Sequence, residues 1–148
     1  MRYIFQKNSG KHVAINTGAI HASRDWIMIV DSDDALVKDA IEVVINDIHA
    51  YDNKDLSGLC YRRAYFNHDL VGKIIVEDKP LFMHPSEAGR FFGGDLAYVF
   101  RTKSLRAHPF PVIDGEKFVP ELYVWNSIGD EGEIIFFPNK AIYLCEYL

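Results

Sequence analysis

The chain is 148 residues long and carries 21 acidic against 16 basic side chains, for a formal net charge of −5. That length suits one domain with a real core, and 49% hydrophobic with 14% aromatic residues excludes a disordered chain. The acidic balance argues against a nucleic-acid partner, which needs a basic face, and the longest apolar runs reach about five residues where a transmembrane helix takes roughly 20.

In chain order, Tyr3-Ile4-Phe5 reads as a short strand and Lys7 to Gly10 as a loop. From Lys11 to about Ala22 a short helix is expected, with the small and apolar residues Ala14, Thr17, Gly18 and Ile20 packed closely on something flat. A turn at Ser23-Arg24-Asp25 leads to Trp26–Val30, apolar at every position, the pattern of a parallel strand covered on both faces. Ile41, Val44, Ile45 and Ile48 recur at helical spacing from Lys38 to Ala50, with Asp39 and Glu42 in the first turn where the helix dipole favours them.

The second half reads as a strand from Leu59 to Phe66, a hairpin over Asn67–Pro80 around Val71-Gly72, and a flexible loop over Gly89–Gly94. A strand over Leu96–Phe100 and a helix over Pro120–Ile128 with proline at its first position follow. Two short strands, Glu133–Phe137 and Ala141–Tyr147, close the chain around Pro138-Asn139. The sum is one α/β domain over residues 1–148, a mixed sheet flanked by helices. Cys60 and Cys145 belong to no CxxC or Cys/His cluster, which speaks against structural zinc and suits a reducing cytoplasm.

The stretch that demands a chemical account is Asp31-Ser32-Asp33-Asp34, three carboxylates at the end of an apolar strand. A plain reading is a solvated strand-to-helix loop whose aspartates cap the next helix. An EF-hand fails, because Ala35 and Leu36 stand where a ligand and the turn glycine are required. The third reading is a DXD site. Asp31 and Asp33 grip one side of a Mg²⁺ or Mn²⁺ ion and leave its other positions to a diphosphate. Ligands of open α/β sheets bind outside the carboxyl ends of strands, where this loop is expected.

These residues also resemble a known family. NSGKHVAINTGAIHASRDWIMIVDSDDALVKDAIE is similar to the N-x-G-K-x-x-A-x-N-x-G segment and D-S-D-D strand end of the family 2 glycosyltransferases with the GT-A fold. GGDLAYVFRTKSL and FPVIDGEKFVPELYVW resemble that family's acceptor-side segments. The resemblance implies transfer of a sugar from a nucleotide-diphosphate donor to a hydroxyl of a glycan or lipid-linked acceptor, with inversion, assisted by Mg or Mn. It implies that Asp33 is the principal metal ligand, that Asp31 lies near the metal or the donor's ribose, and that Lys11 lies near the nucleotide. Asn16 and Gly18 would set the helix against the sheet, and Asp95 would lie on the acceptor side. The family's general base is often the aspartate of a Glu-Asp pair opening a late helix. Glu121-Leu122 stands in that place, so the base role passes to Glu121 or to Glu116.

The resemblance further implies two strand–helix units ahead of this segment, carrying the base- and ribose-binding loops. The chain is therefore expected to be a fragment of a catalytic domain, inactive alone, in the cytoplasm or peripherally at the inner face of the membrane. A non-catalytic acceptor-binding module is the alternative. Without those units, the Trp26–Val30 edge is expected to pair with a second copy or to be covered by the N-terminal segment.

Overall fold

The structure, a computed structural model, describes residues 1–147. Among these residues the chain order is α1 (Lys11–His21), β1 (Trp26–Met28), β2 (Ala35–Leu36), α2 (Ala40–Tyr51), β3 (Leu56–Tyr65) and β4 (Leu81–Phe82). Then come α3 (Pro85–Phe92), β5 (Leu96–Arg101), α4 (Thr102–Ala107), α5 (Glu121–Glu131) and β6 (Glu133–Cys145). The strands form one mixed sheet in the order β1-β5-β3-β6-β2, with β4 also on β6. Only β3 and β6 pair in parallel; β5 runs antiparallel to both β3 and β1.

Leu59, Cys60 and Tyr61 are buried in succession, because helices cover both faces of β3. On one face Ile15, Phe92, Phe100, Trp125 and Phe136 pack under α1, α3, α4 and α5. On the other, Val44, Leu59, Tyr61, Val99 and Ile135 pack under α2. The expected α/β architecture with a mixed, helix-flanked sheet is what forms. No helix among the described residues is long and apolar enough to cross a membrane.

Several local expectations need correction. Tyr3 and Phe5 are more than four-fifths exposed and Tyr3-Ile4-Phe5 forms no strand, since no partner strand lies beside it. Trp26–Val30 is neither parallel nor fully buried. Its strand is three residues long, half-buried, antiparallel to β5, and pairs on one side alone. The inward face of α2 is Ala40, Val44 and Asp47, leaving Ile41 and Ile45 exposed, because Asp47 is drawn in by the Tyr61 hydroxyl at 3.0 Å and the Lys140 ammonium at 2.6 Å. Nothing packs against Gly18, where a Cβ would meet open space.

Residues 67–80 form no hairpin beyond one bridge between Ala64 and Leu70. The Gly89–Gly94 loop is the end of α3, a helix with Pro85 in its first turn and Gly93 as its left-handed C-cap at φ 71°. Pro120 caps α5 rather than opening it. The two closing strands are one strand, β6, interrupted by a bulge.

Candidate active site

Chain geometry gathers the candidate residues at one edge of the sheet. Asp31 follows β1, and Asp95 immediately precedes β5. Antiparallel pairing with Met28 opposite Val99 therefore carries both to the same end. Lys11 opens α1 and Glu121 opens α5, where the helix N-terminus favours a carboxylate. These four side chains line one cleft of about 530 Å³, a volume in the range that takes a small organic ligand. Ile15, Tyr98, Phe110, Phe118, Leu122 and Trp125 supply its apolar wall, and Arg63 and Lys117 add positive charge.

At its mouth one ammonium joins two carboxylates. Lys11 Nζ lies 2.5 Å from Asp31 Oδ1 and 2.5 Å from Glu121 Oε1. Partial burial lowers the lysine's pKa, but the hydrogen bonds and charges of Asp31 and Glu121 together outweigh it and hold the group above its ordinary value.

The repulsion expected among the three aspartates is resolved by turning them apart. Asp31 faces Lys11. Asp34 turns inward, where the Tyr143 hydroxyl donates to Oδ2 at 2.6 Å and the Arg63 guanidinium lies 3.8 Å away. The same hydroxyl accepts the Asp31 backbone N–H at 3.0 Å, so one side chain of β6 pins both ends of the turn. Burial, then the bond to Asp34, pushes the Tyr143 phenol well above its usual range. The Arg63 guanidinium stacks 4.3 Å above the Tyr143 ring. Asp33 faces solvent and makes no hydrogen bond or ion pair among the described residues. The turn therefore caps no helix: β2 separates it from α2, and Asp39, the N-cap, makes no side-chain capping bond.

Asp95 accepts a hydrogen bond from Tyr147 at 2.7 Å. Glu116 is not brought to the cleft. It lies in the segment before α5, exposed, with Oε1 accepting the Phe118 N–H at 2.8 Å. Asn16 secures α1 not to the sheet but to Phe110, exchanging two backbone hydrogen bonds at 2.9 and 2.8 Å. Sequence reasoning missed Tyr143, Arg63 and His12. Tyr143 stands 112 positions from Asp31, and no local pattern links them.

Oxygen donors suit a hard divalent ion, and Asp31 and Asp33 stand one residue apart on an exposed turn. No group of three metal-ligating side chains gathers among the described residues, so any ion here takes most of its coordination from elsewhere. Asp31 and Asp33 are of the right chemistry for such an ion, with Asp31 engaged by Lys11 in this structure.

Comparison with known proteins gives the family and the fold. The family described as Glycosyl transferase family 2 matches residues 1–105. No curated protein matches the chain. The crystal structure of S. aureus TarS 1-349 superposes with a TM-score of 0.71 at 18% identity, covering 96% of this chain and 42% of that one. The same protein in complex with UDP-GlcNAc gives 0.72 at 16% identity, covering 98% and 41%. At such identity the likeness is one of fold, and this chain spans about two fifths of the TarS 1-349 chain. The family's sequence pattern takes in most of the chain, including the Lys11 and Asp31 arms of the cleft, and this chain belongs to glycosyl transferase family 2.

Proposed function

We propose that the chain forms the metal- and acceptor-binding part of a site that transfers a sugar from a nucleotide-diphosphate donor to an acceptor hydroxyl, with inversion. The observation that carries this reading is the Lys11 bridge between Asp31 and Glu121, which sets the donor-side and acceptor-side carboxylates at one point of one cleft. UDP-GlcNAc, present in the TarS complex, is the first donor to test.

Glu121 accepts the proton of the acceptor hydroxyl. The acceptor oxygen then bonds to the anomeric carbon while the opposite bond to the diphosphate breaks, and the nucleoside diphosphate departs. Lys11 must release Glu121 for that step, and an incoming diphosphate gives its ammonium another partner. Asp95, level with Asp31 across the sheet, accepts a hydrogen bond from the acceptor. Asp33, with Asp31, would hold a Mg²⁺ or Mn²⁺ ion, whose charge when bound offsets that of the leaving diphosphate.

Titration with Mn²⁺, followed by water-proton relaxation, tests the metal assignment. The wild-type chain should bind weakly alone and more tightly with UDP present, and Asp33→Ala should abolish both. Equal binding by the variant removes Asp33 from the metal. In transfer assays on the full-length protein Glu121→Gln should lower kcat by about 10²–10⁴-fold, the usual worth of a general base. If Glu121→Gln is fully active while Glu116→Gln is inactive, the base is Glu116. A wild-type chain that binds an acceptor glycan but shows no transfer from any nucleotide sugar, even within the full-length protein, is the non-catalytic module.

A further inference from the structure

We propose that His12 is a specificity-determining contact that hydrogen-bonds a hydroxyl of a pyranose ring held in the cleft. His12 lines the same cleft as Lys11, Asp31 and Glu121, yet it is 2% exposed and neither ring nitrogen has a partner among the described residues. A neutral imidazole carries one donor and one acceptor, and leaving both unmade in the interior is costly. Phenylalanine would fill the same space without that cost.

The surroundings are shaped to keep the imidazole there. Phe110 meets it edge to face at 6.4 Å. Gly10 makes room for it, since a Cβ at that position would come within 2.8 Å of His12 Nδ1 and φ is 100°. A fold that accommodates a polar ring so closely and gives it no protein partner has kept the ring for something that enters.

The chemistry of the walls indicates what enters. A hydroxyl both donates and accepts, as a neutral imidazole does. Ile15, Phe110, Phe118, Leu122 and Trp125 line the same cavity and offer apolar surface to the C–H faces of a sugar ring. Phe118 is 73% exposed in the segment of residues 111–120, whose Lys117 carbonyl lies over Gly10. That segment bonds mainly to itself, through Glu116 N–H to the Ile113 carbonyl and Phe118 N–H to Glu116 Oε1. Val119 anchors its C-terminal end on the core, so a ring reaches His12 only if the exposed Phe118 part of the segment shifts.

This inference rests on the glycosyltransferase reading for its choice of ligand class, but its test does not pass through catalysis. Methyl glycopyranosides of several configurations are titrated into the chain with the histidine ring nitrogens isotopically labelled, and thermal unfolding is measured in parallel. At least one glycoside should shift the His12 signals with a dissociation constant of about 1 mM. His12→Phe should unfold at the same or a higher temperature than wild type, yet bind that glycoside about tenfold more weakly or not at all. His12→Gln, which keeps a donor and an acceptor, should stay within about threefold of wild type. A structural histidine predicts the reverse, lost stability with affinity intact, and that result overturns the proposal. So does a wild-type chain whose His12 signals respond to no glycoside. If His12-dependent glycoside binding is found while Mn²⁺, nucleotide sugar and Glu121→Gln all prove without effect, the transferase reading falls and this one stands.

Discussion

Lys11 decides how the carboxylates of Asp31 and Glu121 sit. Without its ammonium, Asp31 and Glu121 would face each other across the mouth of the cleft as like charges. The same ammonium competes with any divalent cation for Asp31. Two unit charges about 4 Å apart interact by about 1 kcal/mol in water, so removing it should tighten Mn²⁺ binding about fivefold. Lys11→Met is expected to do that in the relaxation titration while weakening the binding of UDP-GlcNAc, whose diphosphate loses a cation. A variant that weakens both would place Lys11 among the supports of the acidic turn instead. The pH dependence has a definite sign. The lysine's pKa is raised above its ordinary 10.5 in the folded chain, so the bridge stabilises fully below that value and is lost as pH rises through the higher folded one. Alkaline destabilisation above pH 10.5 should be smaller in Lys11→Met, as chemical unfolding across that range would record.

Among the elements, β6 shows how a distant side chain overrides local preference. Pro138 and Asn139 are turn formers, and read locally they divide the strand in two. In the fold, β3 pairs with β6 on both sides of them, Cys60 opposite Phe136 and Arg62 opposite Ala141, leaving a bulge between. Arg62, 1% exposed, closes it by donating to the Pro138 carbonyl at 3.0 Å, and reaches the Val71 and Lys73 carbonyls at 2.9 and 2.7 Å. One guanidinium thus replaces the hairpin expected around Val71-Gly72. Burial lowers the Arg62 pKa, a cost accepted for three carbonyls that would otherwise lack a donor. Arg62→Met should destabilise the chain by about 3 kcal/mol, since each buried group left unmade costs about 1–3 kcal/mol. Urea unfolding measures this, and a loss below about 1 kcal/mol would mean that water replaces the guanidinium.

The same contrast separates what was legible from what was not. Apolar runs and helical spacing suffice to locate β3, β5, α1 and α2 within a few residues, because those patterns are local. Asp31 stands out in the acidic turn, whereas Lys11, Asp95 and Glu121 are singled out in the sequence only by the family resemblance, and it is the fold that lines one cleft with all four. Tyr143 and Arg63, which hold the acidic turn, lie on strands that read only as core. The helix α3 did leave a signal, Pro85 near its start and Gly93 just past its end. Three glycines within Gly89–Gly94 nevertheless read locally as a flexible loop.

At the scale of the whole molecule, the open side of β1 is the feature with consequences. The N-terminal segment is engaged elsewhere, with Arg2 donating to the His21 carbonyl at 2.9 Å and Gln6 accepting from Thr17 at 2.7 Å, both on α1. One side of β1 pairs with β5 and the other presents backbone N–H and C=O groups, with no lysine or proline among Trp26–Val30 to blunt it. A second copy can add its own β1 there and continue the sheet. The edge is short, three residues or about 10 Å, so it offers few hydrogen bonds, and its half-buried side chains supply the rest of the gain. That combination predicts reversible dimerisation at micromolar concentration rather than a permanent complex. Val30, 41% exposed just past the strand, lies outside both core clusters, so Val30→Lys places a charge at the edge without disturbing the interior. Sedimentation should show a concentration-dependent dimer for the wild type and a monomer for Val30→Lys. Slow exchange of the β1 amides that point away from β5 should appear in the dimer alone, while those bonded to β5 are slow in both forms. A wild-type monomer whose outward-pointing β1 amides, those not bonded to β5, are already protected would mean that the edge is closed by the chain itself, and the dimer would have no surface left to form on.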